Sequence, residues 1–214
     1  MAGKDILKSH DLFVFDWDGT LSSMRLLLRI NESLKRLFRR WNVDSAYGDF
    51  SHMDGAARLR LRSEERRNNL MTFTFDIFLN LSRPRLHNDA VRLLKLLKKR
   101  GKKVAIFSNG RSSRVKKELR MLGIYNLFDF VISARDLNAL KPNPAGLKML
   151  LQPSNVSPSR SLYIGDMVDD MMAARLAHMR SCAMADGFDS YRKLRSTKPD
   201  YIFRSIEALL RALS

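Results

Sequence analysis

The chain has 214 residues, 45% of them hydrophobic and 29% charged, enough apolar material for a buried core and too much for a disordered chain. Its net charge is +17, and Lys and Arg interrupt every apolar run before it reaches the roughly 20 residues a membrane span requires. One cysteine, Cys182, and four scattered histidines exclude a disulfide framework and a zinc-type cluster, and the start MAGKDILKSHD lacks the apolar core of a secretory signal, so a cytoplasmic protein is expected.

Leu12 to Phe15 reads as a first buried strand, because its apolar residues are consecutive rather than alternating. After Thr20 the spacing becomes helical, with Leu26, Leu27, Ile30, Leu34, Leu37 and Phe38 forming one stripe. A polar stretch from Trp41 to Gly55 precedes two further helical pieces, about 56–67 and 69–81, before Arg83-Pro84 punctuates the chain. From there strands and helices alternate. A helix about 87–100 leads to a strand at 104–107, a basic helix at 114–122 to a strand at 130–133, and a helix at 144–151 to a strand at 162–164. A helix about 168–178 precedes a strand at 182–185 holding Cys182, a small buried hydrophobe, and a strand at 201–203 leads into a last helix. This alternation predicts an α/β fold, a Rossmann-like, mostly parallel sheet with helices on both faces.

In such sheets ligands bind outside the carboxyl ends of the strands. The first strand delivers Asp16 and Asp18, and the second delivers Ser108, Asn109 and Gly110. The loop past the third carries Lys141-Pro142, and the fourth delivers Asp166 with Asp169 and Asp170 close behind. If a helix starts after Gly165, Asp166 and Asp170 share a face while Asp169 points about 100° away from Asp170. Asp170, rather than Asp169, is therefore the acid placed to act with Asp166.

DWDGTL at 16–21, SN at 108–109, KP at 141–142 and GDMVDD at 165–170 follow one another in the order of the haloacid dehalogenase-like hydrolase superfamily, which this chain resembles from Leu12 to its final helix. Each motif alone is weak; four in order, each after an expected strand, are specific. The resemblance, strongest to the phosphoglycolate phosphatase group, implies a phosphoric monoester hydrolase for a small phosphorylated metabolite, working through an aspartyl-phosphate. It makes Asp16 the nucleophile and Asp18 the proton carrier to the leaving oxygen and from water. Mg²⁺ would take Asp16, the backbone carbonyl of Asp18 and Asp166, supported by Asp170. Ser108 and the amides of Asn109 and Gly110 would hold phosphoryl oxygens, and Lys141 would neutralise charge and orient Asp16.

The interval after Thr20 far exceeds an ordinary loop, and the resemblance implies a helical cap there, so the expected organisation is a core of residues 1–21 and 86–214 with a cap at 22–85. Arg25, Arg29, Arg58, Arg60, Arg62 and Arg66 of the cap are candidate anion contacts, though a solvated surface is the simpler expectation for each. Three departures stand out. Ser22-Ser23-Met24 replaces an acid many relatives carry, Trp17 replaces a smaller residue, and Asp18 is absent from the family's dehalogenases, which argues for phosphoryl chemistry. Lys35 invites comparison with the phosphonate-cleaving relatives, but Asp18 weakens it.

Two alternatives follow. A phosphomutase would return the phosphoryl group to a sugar. A nucleic-acid-associated phosphatase or binding protein would use the basic charge, which peaks at 92–120 with twelve Lys and Arg against Glu118 alone. Solvated helix faces remain the simpler account of that charge. Oligomeric state is left open.

Overall fold

The computed structural model describes residues 2–23 and 84–214, and its elements are numbered among these. They belong to one compact unit, Met1–Arg25 with Pro84–Ser214. The expected cap at 22–85, with its arginines and Lys35, lies outside the described residues except at its ends.

Six parallel strands form one sheet in the order β3-β2-β1-β4-β5-β6: β1 Leu12–Phe15, β2 Lys103–Ser108, β3 Phe130–Ser133, β4 Ser161–Gly165, β5 Arg180–Met184 and β6 Tyr201–Phe203. The helices are α1 Ala2–Ser9, α2 Ala90–Lys99, α3 Ser112–Met121, α4 Ala145–Ser154, α5 Val168–Leu176, α6 Tyr191–Ser196 and α7 Ile206–Leu213. Two of them, α1 and α6, are not foreseen in the sequence. The chain runs outward from β1 through β2 to β3, then returns to place β4 on the other side of β1. That reversal makes the carboxyl ends of β1 and β4 the topological switch point, the place where ligands bind in sheets of this kind.

Alternation along the central strands divides the core. Phe13 and Phe15 face the layer of α1, α2, α3 and α7, where Ile6, Leu93, Leu97, Leu119 and Leu209 are buried. Leu12 and Val14 face the layer of α4 and α5, with Leu147, Leu150 and Ala173. Both faces of β1 are therefore dry, as its unbroken apolar run requires. Each large side chain buried this way contributes roughly 1.5–3 kcal/mol. Ser190 caps α6 by accepting the Lys193 amide at 3.4 Å, and Ser205 caps α7 by accepting the Ala208 amide at 3.2 Å. Burial pushes the Cys182 thiol up and leaves it an inert core group. No helix among the described residues is long and apolar enough to cross a membrane.

Candidate active site

Pairing of β1 with β4 continues one residue past the strand, where the Asp16 amide donates to Ile164 O at 2.8 Å. That bond brings Asp16 to the sheet edge beside Asp166, which follows β4. The turn after β1 closes on itself through Ser22 N to Trp17 O at 2.9 Å and Gly19 N to Ser22 O at 3.0 Å. From this turn Thr20 Oγ1 donates to Asp166 Oδ1 at 2.7 Å, while the Phe188 amide donates to Asp166 Oδ2 at 2.7 Å. Asp166 is thus pinned from two loops.

Lys141 arrives from the loop after β3. Its Nζ lies 2.6 Å from Asp16 Oδ1 and 2.8 Å from Asp170 Oδ1. Asp170, rather than Asp169, is the residue that reaches it. The other oxygen of Asp170 accepts the amides of Asp166 at 3.1 Å and Met167 at 3.0 Å, so this side chain also shapes the turn into α5. Tyr163 Oη stands 2.9 Å from Asp170 Oδ1 and 3.0 Å from Phe107 O, and its single proton serves one of them at a time.

At the end of β2, Ser108 Oγ accepts the Gly110 amide at 3.0 Å. The amide that the family resemblance aims at a phosphoryl group is engaged here with its own turn. Asn109 contributes through its side chain, whose Oδ1 accepts the Lys141 amide at 2.9 Å and ties the two loops together.

The electrostatics are unbalanced. Carboxylate oxygens of Asp16, Asp166 and Asp170 all lie within 4.8 Å of one another, and all three residues are buried. Three acids face one lysine, an excess of two negative charges when all are ionised. Burial, then repulsion from Asp170 and Asp18, pushes the Asp16 carboxyl up to about 7 despite the opposing pull of Lys141. Burial, then repulsion from Asp16 and Asp170, pushes Asp166 well above the usual carboxylate range. Burial opposes the charge on Lys141, but Asp16 and Asp170 outweigh it and hold its proton firmly. Hard oxygen donors with a charge deficit of two fit a divalent cation.

Asp18 sits apart from this cluster, its side chain 18% exposed, gripped by Arg114 of α3. Arg114 Nη1 lies 3.0 Å from Asp18 Oδ1, and Nη2 bonds Asp18 Oδ2. Glu118, one turn on, accepts from Arg114 Nη1 at 3.1 Å and from Trp17 Nε1 at 2.5 Å. Trp17 is fully buried, so the departure noted in the motif has a partner. The sequence reading misses Arg114, Glu118, Thr20 and Tyr163. One signal was available: Glu118 is the sole acid from 92 to 120 and stands four residues after Arg114, the spacing of a helical ion pair.

A model of the haloacid dehalogenase-like hydrolases matches residues 10–178. The phosphoglycolate phosphatase of Haemophilus influenzae is 29% identical over 129 residues, 60% of this chain but only 58% of that relative's length. The phosphoglycolate phosphatase of Colwellia psychrerythraea is 28% identical over 225 residues, 97% of this chain and 98% of its own. A solved haloacid dehalogenase-like protein of Agrobacterium tumefaciens superposes with a TM-score of 0.70 at 23% identity, over 95% of this chain and 97% of that one, and so shares the fold. Four motifs at the carboxyl edge of one parallel sheet, and a family match over most of the length, place this chain in the haloacid dehalogenase-like hydrolase family.

Proposed function

We propose that this chain is a Mg²⁺-dependent phosphatase that hydrolyses a small phosphomonoester, phosphoglycolate-like or a sugar phosphate, through an aspartyl-phosphate. The observation that carries the reading is a buried Asp16 held at 2.6 Å by Lys141, with the second acid of the motif, Asp18, two residues on and outside the cluster. One acid is thereby oriented as nucleophile, and the other is free of the competing pull of Lys141. The relatives named above support the substrate class.

Lys141 keeps Asp16 Oδ1 in a fixed direction, and the free oxygen attacks phosphorus as the ester P–O bond breaks. Asp18 gives the leaving oxygen its proton. Water then attacks the aspartyl-phosphate, Asp18 takes a proton from that water, and Asp16 is released with inorganic phosphate. Ser108 and the amides at Asn109 and Gly110 line the place where the phosphoryl oxygens would rest once the turn opens to them, and Lys141 offsets their growing charge. Asp16, the Asp18 carbonyl and Asp166 would hold Mg²⁺, with Asp170 behind them. When bound, the ion offsets the repulsion between carboxylate and phosphate dianion.

The test is phosphate release from p-nitrophenyl phosphate and a panel of alkyl phosphomonoesters, with Asp16→Asn as the blank. Release with Mg²⁺ that falls to background in Asp16→Asn is expected. Isomerisation of a sugar phosphate without net phosphate release would make the chain a phosphomutase and sink the proposal.

A further inference from the structure

Arg114 is buried, its side chain only 6% exposed, and it forms its ion pairs at the edge of the site rather than on the helix surface. A guanidinium taken out of water costs several kcal/mol, and well-packed apolar residues would join α3 to the core at least as well. Its burial therefore calls for a reason beyond stability. Burial works against its charge, yet Asp18 and Glu118 outweigh it, so the group stays fully protonated.

Its contacts are directed. The two Nη atoms fork onto both oxygens of Asp18, which fixes the plane of that carboxyl group and leaves each oxygen a second lone pair. Nη1 also donates to both oxygens of Glu118, and Glu118 is in turn held by the Trp17 indole. The phosphate loop leaves room for it: a Cβ at Gly110 would collide with Arg114 Nη2 and stand 3.3 Å from Asp18 Oδ2. A lysine could pair with Asp18 as a point charge but could not set the carboxyl plane.

We infer that Arg114, braced by Glu118 and Trp17, is a positioning residue that aims the Asp18 carboxyl at the leaving-group oxygen. This rests on the phosphatase reading, in which Asp18 carries the proton. Trp17, the residue between the two acids, is tied by its indole to Glu118 and so joins the motif to the brace that orients Asp18.

The experiment compares first-turnover cleavage of two esters. Nitrophenolate leaves without a proton, whereas an alkoxide needs one, so misplacing the acid slows only the alkyl ester. The esters are p-nitrophenyl phosphate and the alkyl phosphomonoester that the parent hydrolyses fastest. For Arg114→Ala the first turnover is expected to fall about 100-fold on the alkyl ester and less than about threefold on the aryl ester. Arg114→Lys, which retains the buried charge and serves as the folded comparison by circular dichroism, is expected to show the same split at roughly a tenth of the size. Equal losses on both esters, or none on either, would overturn the inference and leave Arg114 a structural ion pair. Asp18→Asn separates the two claims. If it shows the split and the Arg114 variants do not, the positioning role alone fails; if it shows none, the proton-carrier reading of Asp18 fails.

Discussion

Asp16 and Asp166 combine full burial with neighbours of their own sign, and this sets a direction for stability against pH. Asp16 titrates near 3.8 in an unfolded chain and at about 7 in the fold. Between those values the folded state binds more protons, so its contribution is present below the lower value and is lost as pH rises through the upper one. Asp166 shifts in the same direction. His10, whose buried ring is pushed down, acts oppositely near its ordinary value of 6.5, so the parent must be compared with Asp16→Asn. The metal-free parent is expected to lose thermal stability relative to Asp16→Asn as pH rises from about 5 to about 7.5, by a few kcal/mol at most. A divalent cation needs the ionised carboxylates, so saturating Mg²⁺ should raise the parent's Tm more at the upper pH than at the lower. Thermal melts at both pH values, with and without Mg²⁺, check this; an equal Mg²⁺ shift at both would contradict it.

At the level of elements, the turn between β1 and residue 23 decides whether Asp16 and Asp166 meet. Gly19 adopts φ +94, and a Cβ there would strike Asp166 Oδ2 and stand 2.8 Å from the Phe188 ring. Gly101, after α2, has a similar φ of +69 with nothing within 4 Å. Alanine at either position carries the left-handed cost of about 1–2 kcal/mol, but only at Gly19 does it also displace Asp166, a proposed Mg²⁺ ligand. Gly19→Ala should therefore lose both stability and Mg²⁺-dependent Tm gain, whereas Gly101→Ala loses stability alone. Denaturant unfolding with a Mg²⁺ titration separates them, and an intact Mg²⁺ response in Gly19→Ala would refute the collision. The same scale shows what was legible beforehand. β3 and β6 have their expected bounds, because consecutive apolar residues end at a polar one. β2 and β4 run one residue further at each end, through Lys103, Ser108, Ser161 and Gly165, because ladder pairing does not stop where hydrophobicity does. α6 buries only Leu194, and α1 is a mere eight residues, so neither repeats its apolar spacing enough to register. The acids could be named because strand ends announce them, and Lys141, well past the end of β3, because the family's motif series does. Arg114 is marked only by Glu118 four residues on, a spacing that suggests an ion pair but not that the helix turns the pair inward against Asp18.

For the whole molecule, the charge of +17 has a surface to act from. Arg92, Lys95, Lys99 and Arg100 on and after α2, and Lys117 and Arg120 on α3, are exposed in helices that pack on the same side of the sheet. The nearby acids Asp89 and Asp129 are already paired, at 2.7 Å, with Arg92 and Lys98. Such a field concentrates anions near the surface, but the helices offer no row of aromatic side chains on which bases could stack, so a nucleic acid would be held by its phosphates alone. Binding of that kind releases counterions and weakens steeply with salt. For three phosphate contacts on a single strand, affinity should fall roughly 20-fold between about 50 and 200 mM salt. Fluorescence anisotropy of a labelled single-stranded oligonucleotide across that range measures the slope. Tight binding that survives the upper concentration and depends on base sequence would mean that the surface recognises nucleic acid specifically, and the phosphatase reading would then need a polynucleotide substrate.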